Sequence, residues 1–393
     1  MQVIRNEPIF ISLTGENSHK FTIPTGQGSF SIGEKGVSEG KYDVWVEKES
    51  TINWHAFNGL YTPHGKQNTD KYPYGDWPRF FYYSGNDLGF IDWSLKRQIE
   101  SFHWIPSKNM SINLVNANIH SFCLQTQTTK VDLSIGNNIR TLVISGDPTC
   151  INIPKCMTVP ALQFTFSDVI KATRPYELPK YPSLIKATAI DIHVAVIGQP
   201  FDCTCLLQFP ELTHLNLSGN MINLNKLAEL KHLKNIGLRL IPNLTDMPKL
   251  TTWQRLKSVI GWNIEETSGK MLKAELKALS STKALDYSNV SKLRKAIWFM
   301  TEYGMPFSGW EDKSEKMAIK AYKTCLKDIK KLKTESEVQK AIIAFVDVFN
   351  HLPNIETSER EDIAVAVNQL VKSAGIDIPE EICHSWFDEA RNF

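Results

Sequence analysis

Between residues 99 and 264 the chain repeats a short pattern, apolar-x-x-apolar-x-apolar, at nearly constant spacing. It occurs as Ile99, Phe102 and Trp104, then as Ile119, Phe122 and Leu124, as Ile139, Leu142 and Ile144, and as Val159, Leu162 and Phe164, in steps of 20 residues. A weaker unit around Leu184, Ile185 and Ala187 leads to Phe209-Pro-Glu-Leu212-Thr-His-Leu215-Asn-Leu217-Ser-Gly-Asn220, which follows L-x-x-L-x-x-L-x-L-x-x-N position by position. Leu233, Ile236 and Leu238 come next, and then Leu256 and Val259, at steps of 21 and 23 residues. Such spacing predicts one short strand per unit, with alternate side chains pointing inward and each unit covering the apolar face of its neighbour. The expected fold is an α/β leucine-rich-repeat solenoid of about seven or eight units, with Leu215, Ile236 and Val259 on adjacent strands. Signals half a step out of phase, at Ile112/Leu114 and Val131/Leu133, predict further strands on the opposite side. Asn220 is expected to bond backbone groups of the neighbouring turn.

The pattern changes on both flanks. Residues 1–95 alternate or cluster apolar side chains at Ile9 to Leu13, Phe21 to Ile23, Phe30 to Ile32 and Tyr42 to Val46, between Gly, Asn and Pro, and read as a β-rich N-terminal domain or cap. From 265 to 393 the apolar period is helical: Met317, Ile319, Tyr322, Leu326 and Ile329, then Val338, Ile342, Phe345 and Phe349. Ser288-Asn289 is expected to cap a helix over Lys292 to Glu302, Gly304-Met-Pro306 to stop it, and Pro353 to end a helix beginning near Glu335. Five or so helices make a C-terminal bundle, and the lysines between 316 and 333 fall largely off its apolar stripe, as a solvated face would. The predicted domains are therefore 1–95, 96–264 for the solenoid and 265–393.

Composition changes this picture only at the margins. The 393 residues are 42% hydrophobic and 22% charged, ordinary globular material with a formal net charge of +2. Lys and Arg against Asp and Glu number eight to eleven over 1–95, seventeen to ten over 96–264 and nineteen to twenty-one beyond, so the positive charge sits in the repeats. That asymmetry can steer a partner but falls short of a nucleic-acid-binding signature, and nucleic acid is not an expected partner. The start carries no basic segment followed by an apolar one, and no apolar run approaches a membrane span, so the expected compartment is the cytoplasm, with no membrane partner. Seven cysteines cannot all pair, which fits free thiols in a reducing compartment.

No catalytic motif emerges. Gly33-Glu-Lys-Gly-Val-Ser-Glu-Gly-Lys41 has the wrong glycine spacing for a phosphate loop, and Tyr42 stands where a Mg²⁺-binding hydroxyl should be. Cys203-Thr-Cys205 lacks the spacer and second ligand pair of a zinc site. The histidines are dispersed. The expectation is a non-enzyme with no cofactor and no metal, the alternatives being a regulatory repeat protein or an enzyme whose site forms at the junction of repeats and bundle.

Over residues 99 to 264 the chain resembles the short-unit leucine-rich repeats of bacteria. Ubiquitin ligases with such repeats carry a nucleophilic cysteine in a Cys-x-Asp context, which neither Cys325-Leu-Lys nor Cys383-His-Ser reproduces. Larger repeat-containing regulators share only a loose likeness in the helical tail. The arrangement is most similar to the cognate immunity proteins of Rhs-type polymorphic toxins. That resemblance implies a protein partner, a toxin domain, bound and occluded by the repeat scaffold.

The outward residues beside each inward Leu or Ile place the contact surface. His103, Gln163, Lys186, His214, Asn216, Arg239 and Trp262 are expected on one concave face. A second candidate is the aromatic segment with Trp77, Phe80 and Tyr82, whose rings suit either contact with a partner or packing of the cap.

Overall fold

The computed structural model describes the chain except for residues 1, 4–5, 25–26, 39–41, 64–73, 167–173 and 308–309. It consists of two compact units, Met1–Arg294 and Lys295–Phe393.

The first unit is organised by one sheet of twelve strands. In chain order these are β1 (Ser29–Glu34), β2 (Val44–Val46), β3 (Phe80–Ser84), β4 (Ile99–Ile105), β5 (Ile119–Thr126), β6 (Thr141–Gly146), β7 (Ala161–Phe166), β8 (Ala189–Val194), β9 (His214–Ser218), β10 (Asn235–Arg239), β11 (Ser258–Trp262) and β12 (Tyr287–Ser291). All are parallel, and the spatial order is β2-β1-β3 and then consecutive to β12. Register follows the apolar pattern. Phe30 and Ile32 pair with Phe81 and Tyr83, these with Phe102 and Trp104, and so on to Leu215, Ile236 and Val259, which lie side by side on β9, β10 and β11 as expected. Because strand side chains alternate with period two, these residues all point to one side, where they form one continuous buried core from Ile9 to Val290.

The expected leucine-rich-repeat solenoid with a separate β-rich cap is corrected by this sheet. The fold is α/β with a single twelve-stranded parallel sheet followed by C-terminal helices, a larger parallel sheet than is typical of a leucine-rich-repeat solenoid. Three strands that the sequence assigns to the cap, β1, β2 and β3, belong to the sheet, because Phe30, Phe81 and Phe102 occupy equivalent inward positions. The connections also differ from one another instead of repeating one unit. Met110–Leu114, Val131–Ile135 and Ile151–Cys156 form a second, three-stranded parallel sheet, which accounts for the half-step signals. Further along, the returns are 3-10 helices at Cys203–Gln208, Leu224–Glu229 and Leu250–Thr252. The last is an α-helix (Glu266–Ser280), the second of the chain after α1 (Gly89–Ser94) and hence α2. Asn220 bonds across a turn as expected, donating from Nδ2 to the carbonyl of Ile197 at 2.8 Å.

The predicted boundary at 264/265 also moves. Both α2 and β12 belong to the first unit, and Ser288-Asn289 lies within β12 instead of capping a helix, since Val290 is buried opposite Gly261. The second unit holds α3 (Ala296–Thr301), α4 (Asp312–Ile329), α5 (Glu335–Asn350), α6 (Thr357–Ser373) and α7 (Glu380–Ala390). Gly304, at a φ of +77°, follows α3, and Thr334 with Glu337 forms a reciprocal cap at the start of α5. Val338, Ile342, Phe345 and Phe349 join Ile363, Val367 and Leu370 of α6 in a separate core. Among the described residues no helix is long and apolar enough to cross a membrane.

Candidate binding face

The side of the sheet opposite the core is built by register. Tyr82, His103, Cys123, Val143, Gln163, Asp191, Asn216, Gly237, Ile260 and Asn289 follow one another across β3 to β12 in one row. Two residues towards the strand starts runs a row that includes Phe80, Ser101, His214 and Tyr287. Two residues towards the ends runs one that includes Ser145, Thr165, His193, Ser218, Arg239 and Trp262.

The predicted contact residues distribute over these rows. Tyr82, His103, Gln163 and Asn216 share the middle one, Phe80 and His214 lie below it, and Arg239 and Trp262 face each other above it. Two predictions are corrected. Lys186 is exposed but precedes β8, just beyond the 3-10 turn Pro182–Leu184, because the buried residues on either side of it, Leu184 and Ala187, belong to the connection before the strand, and Asp191 takes the position assigned to it. Trp77 is 0% exposed, its ring 5.2 Å from Phe30 and 6.0 Å from Phe57, so it packs the core and meets no partner. Tyr82 of the same segment is 49% exposed and lies 5.5 Å from the His103 ring.

The face is nearly without charge. Three outward positions on each of ten strands, β3 to β12, give thirty sites, of which only Asp191 and Arg239 are charged, against 22% of the whole chain. Ser, Thr, Asn and Gln fill half of the others. Asn216 donates from Nδ2 to Asp191 at 2.6 Å, and Gly237 makes room for it, since a Cβ there would stand 2.0 Å from Asn216 Oδ1. Trp262 carries the Lys292 ammonium 5.5 Å above its ring. His103 bonds Gln125 at 3.0 Å, and burial holds its imidazole below the ordinary range, as it does that of His193.

The sequence reading missed Cys123, Asp191, His193 and Ile260. Cys123 and Val143 were recoverable, lying 20 and 40 residues after His103, whereas the long connection before β8 hid Asp191. Cys123 sits beside His103, as a cysteine nucleophile and its base would, yet burial pushes its thiol up to about 12. A neutral thiol beside a neutral imidazole lacks the thiolate that such chemistry uses.

The chain matches no family model, no curated protein and no solved structure. The chemistry of the face itself has to carry the reading.

Other candidates are structural. Gly33 admits the Tyr42 ring, whose nearest carbon would lie 2.6 Å from a Cβ, while residues 39–41 of the same loop are outside the described residues. Cys203 is fully buried, and burial pushes the Cys205 thiol up to about 12. All seven cysteines are free, and among the described residues no cluster of His, Cys, Asp and Glu is placed to hold a metal.

Proposed function

We propose that this protein is a binding module that holds another protein on the outward face of its twelve-stranded sheet. The observation that carries the proposal is that charge over thirty outward positions is confined to Asp191 and Arg239, while the rings of Tyr82 and Trp262 stand among the uncharged ones. Interface cores are depleted in charged residues and enriched in aromatic residues and Arg, and rigid rings set among Ser and Asn are what binding loops of antibodies use. Ten strands at about 4.8 Å spacing extend the face over roughly 43 Å, long enough for one side of an ordinary protein interface. The specific form supplied by the sequence resemblance is that the partner is a bacterial toxin domain, which the protein neutralises by occlusion in the cytoplasm. The proposal makes the protein a binder and not an enzyme.

Arg239→Glu combined with Trp262→Ala tests it, as both side chains end in the outward rows. The double variant should weaken the complex by about 2 to 4 kcal/mol, about 30-fold to 1,000-fold in dissociation constant, and leave the circular dichroism spectrum unchanged. An unaltered affinity in the folded variant would move the interface off this face. For the toxin form, wild type should rescue cells expressing the partner domain and the double variant should not.

A further inference from the structure

The second unit carries a surface independent of the sheet. Between α4 and α5 lies an open cavity of about 490 Å³, lined by Met317, Ala321 and Thr324 from one helix and Ala344, Phe345 and Val348 from the other. On each helix these positions recur at three and four residues, so they form parallel stripes, and the small side chains at 321 and 344 set the depth between them. Met317 is 40% exposed there, an adaptable side chain of the type found on surfaces that receive helices. Burial pushes the Cys325 thiol, also in the lining, up to about 11, so it adds no charge.

One edge of this groove is basic. Lys313, Lys316, Lys320, Lys323 and Lys327 follow one another at three- and four-residue steps along α4, all exposed, and Lys320 itself lines the cavity. At about 1.5 Å per residue they extend over roughly 21 Å, or four turns. A carboxylate already sits on this row, where Glu302 meets Lys323 at 3.3 Å. The one acid in the lining, Asp328, stands at the far end and bonds Lys331 at 3.1 Å.

We propose that the α4–α5 groove receives an acidic amphipathic helix of a partner protein. Apolar residues at i, i+3, i+4 and i+7 of that helix enter the groove, and its Asp and Glu side chains lie along the lysine row. The apolar floor gives a peptide helix something to bury and gives a nucleic-acid backbone nothing, so the lysines alone do not decide the occupant.

A fluorescent synthetic peptide of about 18 residues, with Leu at the i, i+3, i+4 and i+7 positions and Glu elsewhere, is the probe, matched in length to the row. Its binding to the full chain, read by anisotropy, should saturate and weaken as salt rises. Ala344→Arg, at an exposed position, should block the groove, and Lys316→Glu with Lys320→Glu should reverse the edge, each lowering affinity about tenfold or more. The same peptide with Lys in place of Glu should not bind. Failure of the acidic peptide to bind, equal binding by the Lys peptide, or unchanged binding to Ala344→Arg overturns the proposal. Competition by duplex DNA without effect of Ala344→Arg would overturn it in favour of a nucleic-acid surface.

Discussion

The two ends of the twelve-stranded sheet meet the same packing demand with different side chains. Around β1 to β5 the core is aromatic: Trp54 contacts Phe57, Phe81, Tyr83, Phe90, Trp93 and Phe102 with ring centroids 5.3 to 6.4 Å apart. Around β8 to β12 the inward strand positions are aliphatic, with Ile190, Leu215, Ile236 and Val259 side by side, and the buried rings of Phe201, Phe209 and Trp253 come from the connections. The backbone register is the same throughout. What a parallel strand requires at its inward positions is volume and the absence of charge, and that requirement is indifferent to whether rings or branched chains supply it.

The comparison can be broken most sharply with cores. Trp93→Ala removes a fully buried ring and its bond to Asn58, and should cost about 3 to 5 kcal/mol; Leu238→Ala at the other end should cost about 2 to 5. Both should shift one common denaturation midpoint. If Trp93→Ala instead melted residues 8–105 in a separate transition, with β10 and β11 still protected from hydrogen exchange, the two ends would be distinct domains.

Two glycines give a smaller contrast. A Cβ on Gly136 would stand 1.8 Å from the carbonyl oxygen of Val115, backbone that cannot step aside, so Gly136→Ala should cost about 1 to 3 kcal/mol or more. On Gly237 the obstacle is the end of the exposed Asn216 side chain, which can rotate away, so Gly237→Ala should cost less than Gly136→Ala in urea titrations. Equal costs would mean that Asn216 is fixed where it lies. Smaller again are two matching caps, Asp147 accepting from the amide of Thr149 and Asp202 from that of Thr204; alanine at either should cost about 1 kcal/mol in thermal melts, and a gap of several kcal/mol would break the equivalence.

The smallest effect is on pH. Burial holds His103 and His193, one towards each end, below the ordinary imidazole range, with the Gln125 bond opposing it at His103. The fold therefore favours their neutral rings. Their contribution is present above the unfolded pKa of about 6.5 and is lost as pH falls through it, because the unfolded chain takes up protons that the folded one resists. Replacing both with Gln should flatten stability against pH between about 7 and 5, and an unchanged slope would assign that dependence elsewhere.

The contrast between the ends also explains what could be read from sequence. Leu212, Leu215, Leu217 and Asn220 match a familiar pattern, so β9 to β11 and their register were legible. At the other end Phe30, Phe81 and Phe102 hold equivalent positions, but 51 and 21 residues apart with Trp and Tyr between them, they read as a separate cap. Val290 was lost for a different reason: one buried residue between Ser288 and Ser291 is too short a signal to outweigh a cap-like Ser-Asn pair. Of the face, residues at regular steps were placed correctly. Lys186 failed where the step changed, and Trp77 failed because composition says nothing about which rings of a cluster turn inward.

The order β2-β1-β3 has a consequence for how the chain reaches this structure. From β3 onward, each strand joins the one before it after a connection of 13 to 24 residues, so the sheet can zip from any starting pair with modest loop-closure cost. The β1–β3 junction alone must close over 45 residues, with β2 already carried to the far side. Each doubling of loop length adds only about 0.6 kcal/mol, yet that cost falls before the contacts of Phe30 and Ile32 can repay it. Loop closure therefore predicts a direction of assembly, with β3 to β12 pairing first and the amino-terminal strands docking last, and pulsed hydrogen-exchange labelling during refolding should show protection of β1 lagging that of β4 to β11.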